Sequence, residues 1–225
     1  MKPDFYKIKK NCRLCDSKDL SKIVEIGQSP VSEKYSDTRD QKPKDSMVPL
    51  DLYFCKKCFL VQHPVYTDPK DIFVDDYIYY SSTVSSWVEH CQEFVNQSIK
   101  RFSLSQKSFV IEVASNDGYL LQNFVKKNIP CLGVEPSTGV IKEAKKKGVK
   151  TINDFYNLAS SKKIIKSYPK ADLIIANNVL AHMPNLKDFI ESSLLLLKED
   201  GVITVEIPHL LNLIKKKQFD TIYDE

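Results

Sequence analysis

Nothing in this 225-residue chain approaches the ~20 consecutive apolar residues that a bilayer-spanning helix needs, and arginine is scarce: of 33 basic residues only Arg13, Arg39 and Arg101 are arginine. The first absence excludes a transmembrane helix. The opening "MKPDFYKIKKN" has positive charge but no apolar h-region and no small-residue cleavage site, which excludes a signal peptide. The cytoplasm is the expected compartment. Few arginines, lysines scattered except for short clusters at 142–147 and 215–217, and a net charge of only +4 speak against a nucleic-acid reader, which uses guanidinium forks on a concentrated basic stripe. There is no internal repeat, no low-complexity tract and no GxGxxG. What remains, at 42% hydrophobic and 28% charged, is an ordinary globular composition that can form one medium domain or a small one plus a medium one.

Four of the six cysteines form two CxxC pairs, "CRLC" (Cys12, Cys15) and "CKKC" (Cys55, Cys58). A two-residue gap lets two thiolates converge on one ion from a tight turn, and two such turns complete the tetrahedral shell that zinc prefers. Disulfides would not persist in a reducing cytosol, and a thioredoxin-like redox site needs only one pair, set between a strand and a helix. Zinc is therefore the expected ligand. Four thiolates leave no open coordination position, so the site reads as structural. The intervening "SPVSEKYSDTRDQKPKDSMVP" has little apolar surface, and a metal staple is what so small a module needs. Asp16 and Phe59 stand where zinc knuckles favour glycine, and phenylalanine tolerates the left-handed backbone poorly. Cys91 and Cys131 lack partners at ligand spacing and read as buried apolar side chains.

Trp87, Cys91, Phe94, Val95 and Ile99 follow helical spacing, predicting a helix over 84–102 with one inward face. Ahead of it Tyr77, Tyr79 and Tyr80 crowd together, either as an aromatic plug between modules or as a substrate-facing loop. Beyond 104 the pattern alternates. Strands are predicted at 108–114, 131–136, 149–152, 171–178 and 201–207. Helices are predicted from Tyr119, over 138–148, near 154–166 and near 186–198. This specifies an α/β fold with a doubly wound parallel sheet. At the carboxyl ends of its strands, Gly118 opens a turn where a nucleotide could approach the backbone, and Glu135 could accept from both hydroxyls of a ribose. Asp117 in "ASNDGY" would repel a pyrophosphate, so a ligand with a ribose and a positive centre, such as S-adenosylmethionine, suits the loop better than NAD.

Taken together, "CRLC…CKKCFLVQ", "YIYYSS", "IEVASNDGYLLQNF", "LGVEPS", "ANNVLAHMPNLKDF", "EIPHLLNLI" and "QFDTIYDE" resemble the zinc-containing nucleotide-sugar C-methyltransferases, over essentially the whole chain from Cys12 to Glu225. The resemblance implies a zinc-binding module (1–66), an aromatic loop with a linking helix (67–103), and a Rossmann-like class I methyltransferase domain (104–225). It implies S-adenosylmethionine and structural zinc as cofactors. The implied reaction is methylation at C3 of a nucleoside-diphosphate 4-keto-deoxyhexose through an enolate. By the same resemblance Tyr77, Tyr80, His182, Tyr223 and Glu225 fall on the catalytic side. Asp117, Gly118, Glu135, Asp154, Phe155 and Asn177 fall on the cofactor side, with Phe155 against the adenine. His209 reads as helping a turn after Pro208.

The family's "Y-H-E-H" segment stands here as "Y-D-E", with Asp224 in place of the first histidine and the chain stopping before the second, the favoured base. Sheets of this class also continue past the fifth strand with an antiparallel pair, which would leave "GVITVEI" as an apolar edge. The expectation is thus the first half of an enzyme: a second chain supplies the rest, the gene is truncated, or catalysis is lost. A non-catalytic zinc and cofactor-fold module that binds a partner through its open edge, and a methyltransferase for another acceptor, are the rival readings. A zinc-ribbon nucleic-acid binder comes last.

Overall fold

The computed structural model describes residues 6–32, 47–73 and 77–218. The chain divides into two units, one formed by 1–72, 182–186 and 208–225 and the other by 73–181 and 187–207.

In the first unit, β1 (Lys7–Ile8) pairs antiparallel with β5 (Val65–Tyr66). A second, three-stranded antiparallel sheet is built from β2 (Leu20–Pro30), β3 (Met47–Cys55) and β4 (Val61–Gln62). The β2–β3 ladder runs from Leu20↔Cys55 to Pro30↔Met47, with irregularities at Lys22/Val24 and Glu25/Gln28. Gly27, at φ +101, lies in the second of these, where only glycine takes the backbone without strain. Val48 and Leu50 alternate inward on β3 and are buried, as the period-2 pattern requires. Most of the Pro- and Ser-rich stretch between the knuckles, 33–46, lies outside the described residues.

The second unit opens with α1 (Ser85–Arg101) and then alternates β6 (Val110–Val113), α2 (Gln122–Val125), β7 (Cys131–Glu135), α3 (Thr138–Lys146), β8 (Thr151–Asn153), α4 (Leu158–Ser167), β9 (Ala171–Asn177), α5 (Leu186–Leu196) and β10 (Leu197–Glu206). The five strands form one parallel sheet in the order β10-β9-β6-β7-β8. The chain therefore starts at the middle strand, winds outward to β8, and returns to the other side, so that the strand order reverses beside β6. All four residues of β6 are buried, which explains its continuous apolar reading. Cys91 and Val95 of α1 sit in the core with Val110, Tyr119, Leu120, Phe124, Leu173 and Ile175, and Trp87, Phe94 and Ile99 pack against it. The inward face predicted for this helix is the observed one.

Helix starts differ from the predicted ones for local reasons. Asn157 caps α4: its side chain accepts from the Ser160 amide at 2.9 Å, and Ser160 Oγ accepts from the Asn157 amide at 3.1 Å. That capping box holds Asp154 to Tyr156 outside the helix. After β6, left-handed residues at Ala114, Asn116 and Gly118 prolong the turn, and α2 begins at Gln122 rather than Tyr119. Among the described residues β10 pairs only with β9, and its Ile203 and Val205 are 36% and 44% exposed. The last helix, α6 (Leu210–Lys216), belongs to the first unit, and His209 caps it by accepting from the Asn212 amide at 3.3 Å. Among the described residues no helix is long and apolar enough to cross a membrane.

Candidate functional site

The four knuckle sulfurs lie within 4.8 Å of one another, with Cys12 Sγ 3.5 Å from Cys58 Sγ and Cys15 Sγ 3.6 Å from Cys55 Sγ. A tetrahedron of sulfurs at the usual ~2.3 Å from zinc has edges of ~3.8 Å, so the cluster has the size of the metal's shell. Each knuckle closes with an amide returning to its first cysteine: Asp16 N donates to Cys12 O at 3.1 Å and Phe59 N to Cys55 O at 2.8 Å. Those two residues adopt φ +58 and +64, the left-handed turn that glycine would take at no cost. Acidity in the cluster is divided. Burial would push the Cys55 thiol up, but the amides of Cys58 and Lys57 overcome it and bring it down to about 6. At Cys58 the Leu60 amide pulls down, while burial and hydrogen bonds to the other three thiols push it up to about 12. A divalent cation removes that mutual penalty, and the donor set is one that zinc fits.

In the second unit the cofactor-side residues gather at the carboxyl ends of β6, β7, β8 and β9. Glu135, 4% exposed at the end of β7, accepts from Asn116 N (3.0 Å, Oε2) and Ser137 N (2.9 Å, Oε1). Each carboxylate oxygen keeps a lone pair for a further donor, as a ribose diol requires. Burial raises its pKa, and the two amides hold the rise back. Asn177, at the end of β9, is 7% exposed, and both atoms of its side-chain amide are without a partner among the described residues. Ser115 Oγ, Ser137 Oγ and Asp117 Oδ1 are likewise buried and unpartnered among them. Buried polar atoms normally find partners, so the orphaned groups near Glu135 and Asn177 fit a polar cofactor with donors and acceptors of its own.

The loop after β6 is held from two sides. Asp117 Oδ2 accepts from Lys147 Nζ at 2.9 Å and from the Ser82 hydroxyl, and Lys147 also reaches the Asp117 carbonyl at 2.9 Å. The negative charge at this loop is therefore already met by a lysine. Gly118, at φ +76, has its missing side chain's place filled by α3 and its following turn: a Cβ there would lie 3.0 Å from Val149 Cγ2 and 3.2 Å from Ala144. Asp154 Oδ1 accepts from Phe155 N at 2.9 Å and Oδ2 pairs with Lys163 at 3.0 Å, leaving half-buried Phe155 just beyond β8.

The tyrosine segment is strapped to this loop. Ser81 N donates to Asn116 Oδ1 at 2.9 Å, and Asn116 Nδ2 donates to the Tyr79 carbonyl at 3.0 Å. Tyr80 and Tyr77, both half-buried, flank that contact in sequence. His182 belongs to the first unit, in segment 182–186, whose Met183 carbonyl accepts from Arg13 Nη2 at 2.7 Å. Tyr223 and Glu225 lie outside the described residues. Asn116, Ser82, Lys147 and Arg13 were not singled out in the sequence. Asn116 alone carried a signal, since asparagine tolerates the left-handed backbone (φ +46) that the loop needs.

Comparison with known proteins gives two family matches. Residues 12–73 match the family described as "Putative zinc binding domain", and residues 87–224 match the family described as "Methyltransferase domain". The chain is 28% identical over 214 residues to the C-methyltransferase NovU of Streptomyces niveus, an alignment covering 95% of this chain and 51% of that protein, so the chain spans about half the length of this curated relative. Among solved structures it is similar to a S-adenosylmethionine-dependent methyltransferase from Clostridium acetobutylicum (21% identity, 57% of this chain and 54% of that one, TM-score 0.46). It is also similar to Streptomyces venezuelae DesVI (18% identity, 52% and 49%, TM-score 0.41). Scores this low carry nothing about function. The four-cysteine cluster is a zinc site, S-adenosylmethionine is the cofactor that the second site fits, and the chain belongs to the methyltransferase-domain family.

Proposed function

We propose that the chain is the cofactor-binding portion of a C-methyltransferase that acts on a nucleoside-diphosphate 4-keto-deoxyhexose in deoxysugar biosynthesis, in the cytoplasm. The observation that carries this reading is the strap between the tyrosine segment and the cofactor loop, Ser81 and Tyr79 on Asn116. It ties the backbone of the tyrosine segment to the loop after β6, which supports an acceptor-side role for Tyr77 and Tyr80. The match to a C-methyltransferase along 95% of the chain supports carbon as the acceptor atom.

Bound S-adenosylmethionine supplies an electrophilic methyl group. The protein's part is then to make a carbon nucleophile. A base takes the proton from C3 of the 4-keto sugar, and the bond's electron pair moves onto the carbonyl as an enolate. Tyr77 or Tyr80 donates a hydrogen bond to the enolate oxygen. A methyl donor held by the Glu135 and Asn177 side would meet C3 as the nucleophile so formed. His182, Tyr223 and Glu225 are the acceptor-side groups from which the base is drawn. Zinc takes no part in these steps. It staples residues 1–66, while 67–103 carry the tyrosine strap and 104–225 the methyltransferase fold. A second chain that pairs along β10 belongs to the same reading.

The test separates proton removal from methyl transfer. Zinc-loaded protein is incubated in deuterated water with a panel of nucleoside-diphosphate 4-keto-deoxyhexoses, and C3 is followed by NMR; methyl-labelled S-adenosylmethionine is then added. Deuterium at C3 followed by label on C3 is the expected result. Label on oxygen or nitrogen, or on C3 with no enolisation in a Tyr80→Phe comparison series, contradicts it.

A further inference from the structure

Arg13 sits inside the first zinc knuckle, directly after Cys12 and two residues before Cys15. Its backbone amide donates to Gln62 Oε1 at 2.8 Å, and Gln62 is 6% exposed on β4, next to the second knuckle. The position of its Cα is thus set by the metal shell on both sides and by a buried amide across from it. From there the guanidinium reaches the Met183 carbonyl at 2.7 Å, across a sequence separation of 170. A charged donor on a carbonyl is among the stronger neutral-acceptor hydrogen bonds, and it lands on the Met183–Pro184 peptide group, one residue beyond His182. His182 itself is exposed and lies in a stretch without helix or strand.

We infer that Arg13 is a positioning residue: it transmits the rigidity of the zinc knuckle to the 182–186 segment and so sets the orientation of His182. The inference deepens the proposed function and rests on it for the role of His182. It gives the metal a task at a distance from the chemistry, through one hydrogen bond, with no open coordination site.

The chain has three methionines, Met1, Met47 and Met183. Methyl-13C-methionine labelling therefore yields one reporter beside the contact and one, Met47 on β3, on the sheet of the same unit. Arg13→Gln and Arg13→Lys are compared with the wild type in the zinc-loaded full chain, with zinc content measured in each. In Arg13→Gln the Met183 methyl signal is expected to sharpen about twofold as its order falls, with Met47 unmoved and zinc retained. Arg13→Lys, which keeps a charged donor without the fork, falls between. In turnover, kcat drops about tenfold and KM for S-adenosylmethionine stays put. An unchanged Met183 signal in a zinc-retaining Arg13→Gln overturns the inference. So does a joint change at Met47 with loss of zinc, which makes Arg13 part of the module's fold alone. The NMR result does not need turnover: a wild type without methyl transfer but with the Met183 response defeats the proposed function and leaves the positioning role standing, while active protein with no response does the reverse.

Discussion

Glu112 lies in the middle of β6 at 1% exposure, a carboxyl in a strand whose other residues are Val110, Ile111 and Val113. Burial pushes its pKa well above 4.5. The Tyr119 phenol offsets part of that effect, and the charges of Glu135 and Asp117 add to it. Cys91 on α1 and Cys131 on β7 feel its charge, and both thiols are pushed up to about 12, chiefly by burial. The sign follows directly. Above the unfolded value the unfolded chain has released the proton while the folded chain keeps it. Stability is therefore fully present at low pH and falls as pH rises toward the folded value. The slope for one retained proton is about 1.4 kcal/mol per pH unit. Glu112→Gln cannot titrate and removes that slope. Glu135, also raised by burial, contributes the same sign in both proteins and cancels in the difference. The assay is urea unfolding of the zinc-loaded protein, followed by fluorescence of Trp87, the chain's one tryptophan, which stacks on Tyr119 at 6.0 Å. From about pH 5.5 to about pH 6.5 the variant should gain about 1.4 kcal/mol on the wild type. Parallel pH profiles would refute the reasoning, because they would mean that Glu112 ionises as readily folded as unfolded.

Three further outcomes are expected. Phe59→Gly removes a left-handed strain of about 1–2 kcal/mol at φ +64 and loses a tilted ring contact with Phe54 at 5.8 Å worth about 0.5–1.5 kcal/mol. Denaturant melts should show a change within about 1 kcal/mol of neutral, so a loss of 2 or more contradicts the strain argument. Gly118→Ala meets both a positive φ and a 3.0 Å approach to Val149, and should lower stability by about 2 kcal/mol or more in the same melts, against no change if the site can open. Chelating the metal, or replacing Cys55 by serine, should abolish zinc binding by native mass spectrometry and collapse amide protection across the β2–β3 ladder, since structural zinc supplies about 10 kcal/mol or more to such modules. Undiminished protection after complete metal removal would make the ion dispensable.

Periodic and spaced features were legible before the structure. Val110 to Val113, Cys131 to Glu135 and Ala171 to Asn177 stand out because parallel strands buried on both faces need continuous apolar runs. The knuckle cysteines stand out because ligand spacing is local. Glu135 and Asn177 were readable as strand-end residues of a wound sheet. Contacts that depend on tertiary approach were not. Lys147 is one of three successive lysines, and nothing local tells which of them reaches Asp117. Ser82 and Asn116 bind each other's loops across the fold, and Arg13 meets Met183 only because chain folding brings the AHMP segment to the first knuckle. Gly118 illustrates a third case. Its identity pointed to a close backbone approach, and the approach exists, but it is made by Ala144 and Val149.

The most direct test of the central claim is a calorimetric titration of the zinc-loaded chain with S-adenosylmethionine, repeated on Glu135→Gln. The account predicts micromolar binding by the wild type and a loss of about tenfold or more in the variant, which keeps the side-chain shape but cannot accept from a ribose diol with charge. A folded, monodisperse wild-type protein that releases no binding heat and is not stabilised by the cofactor would contradict it.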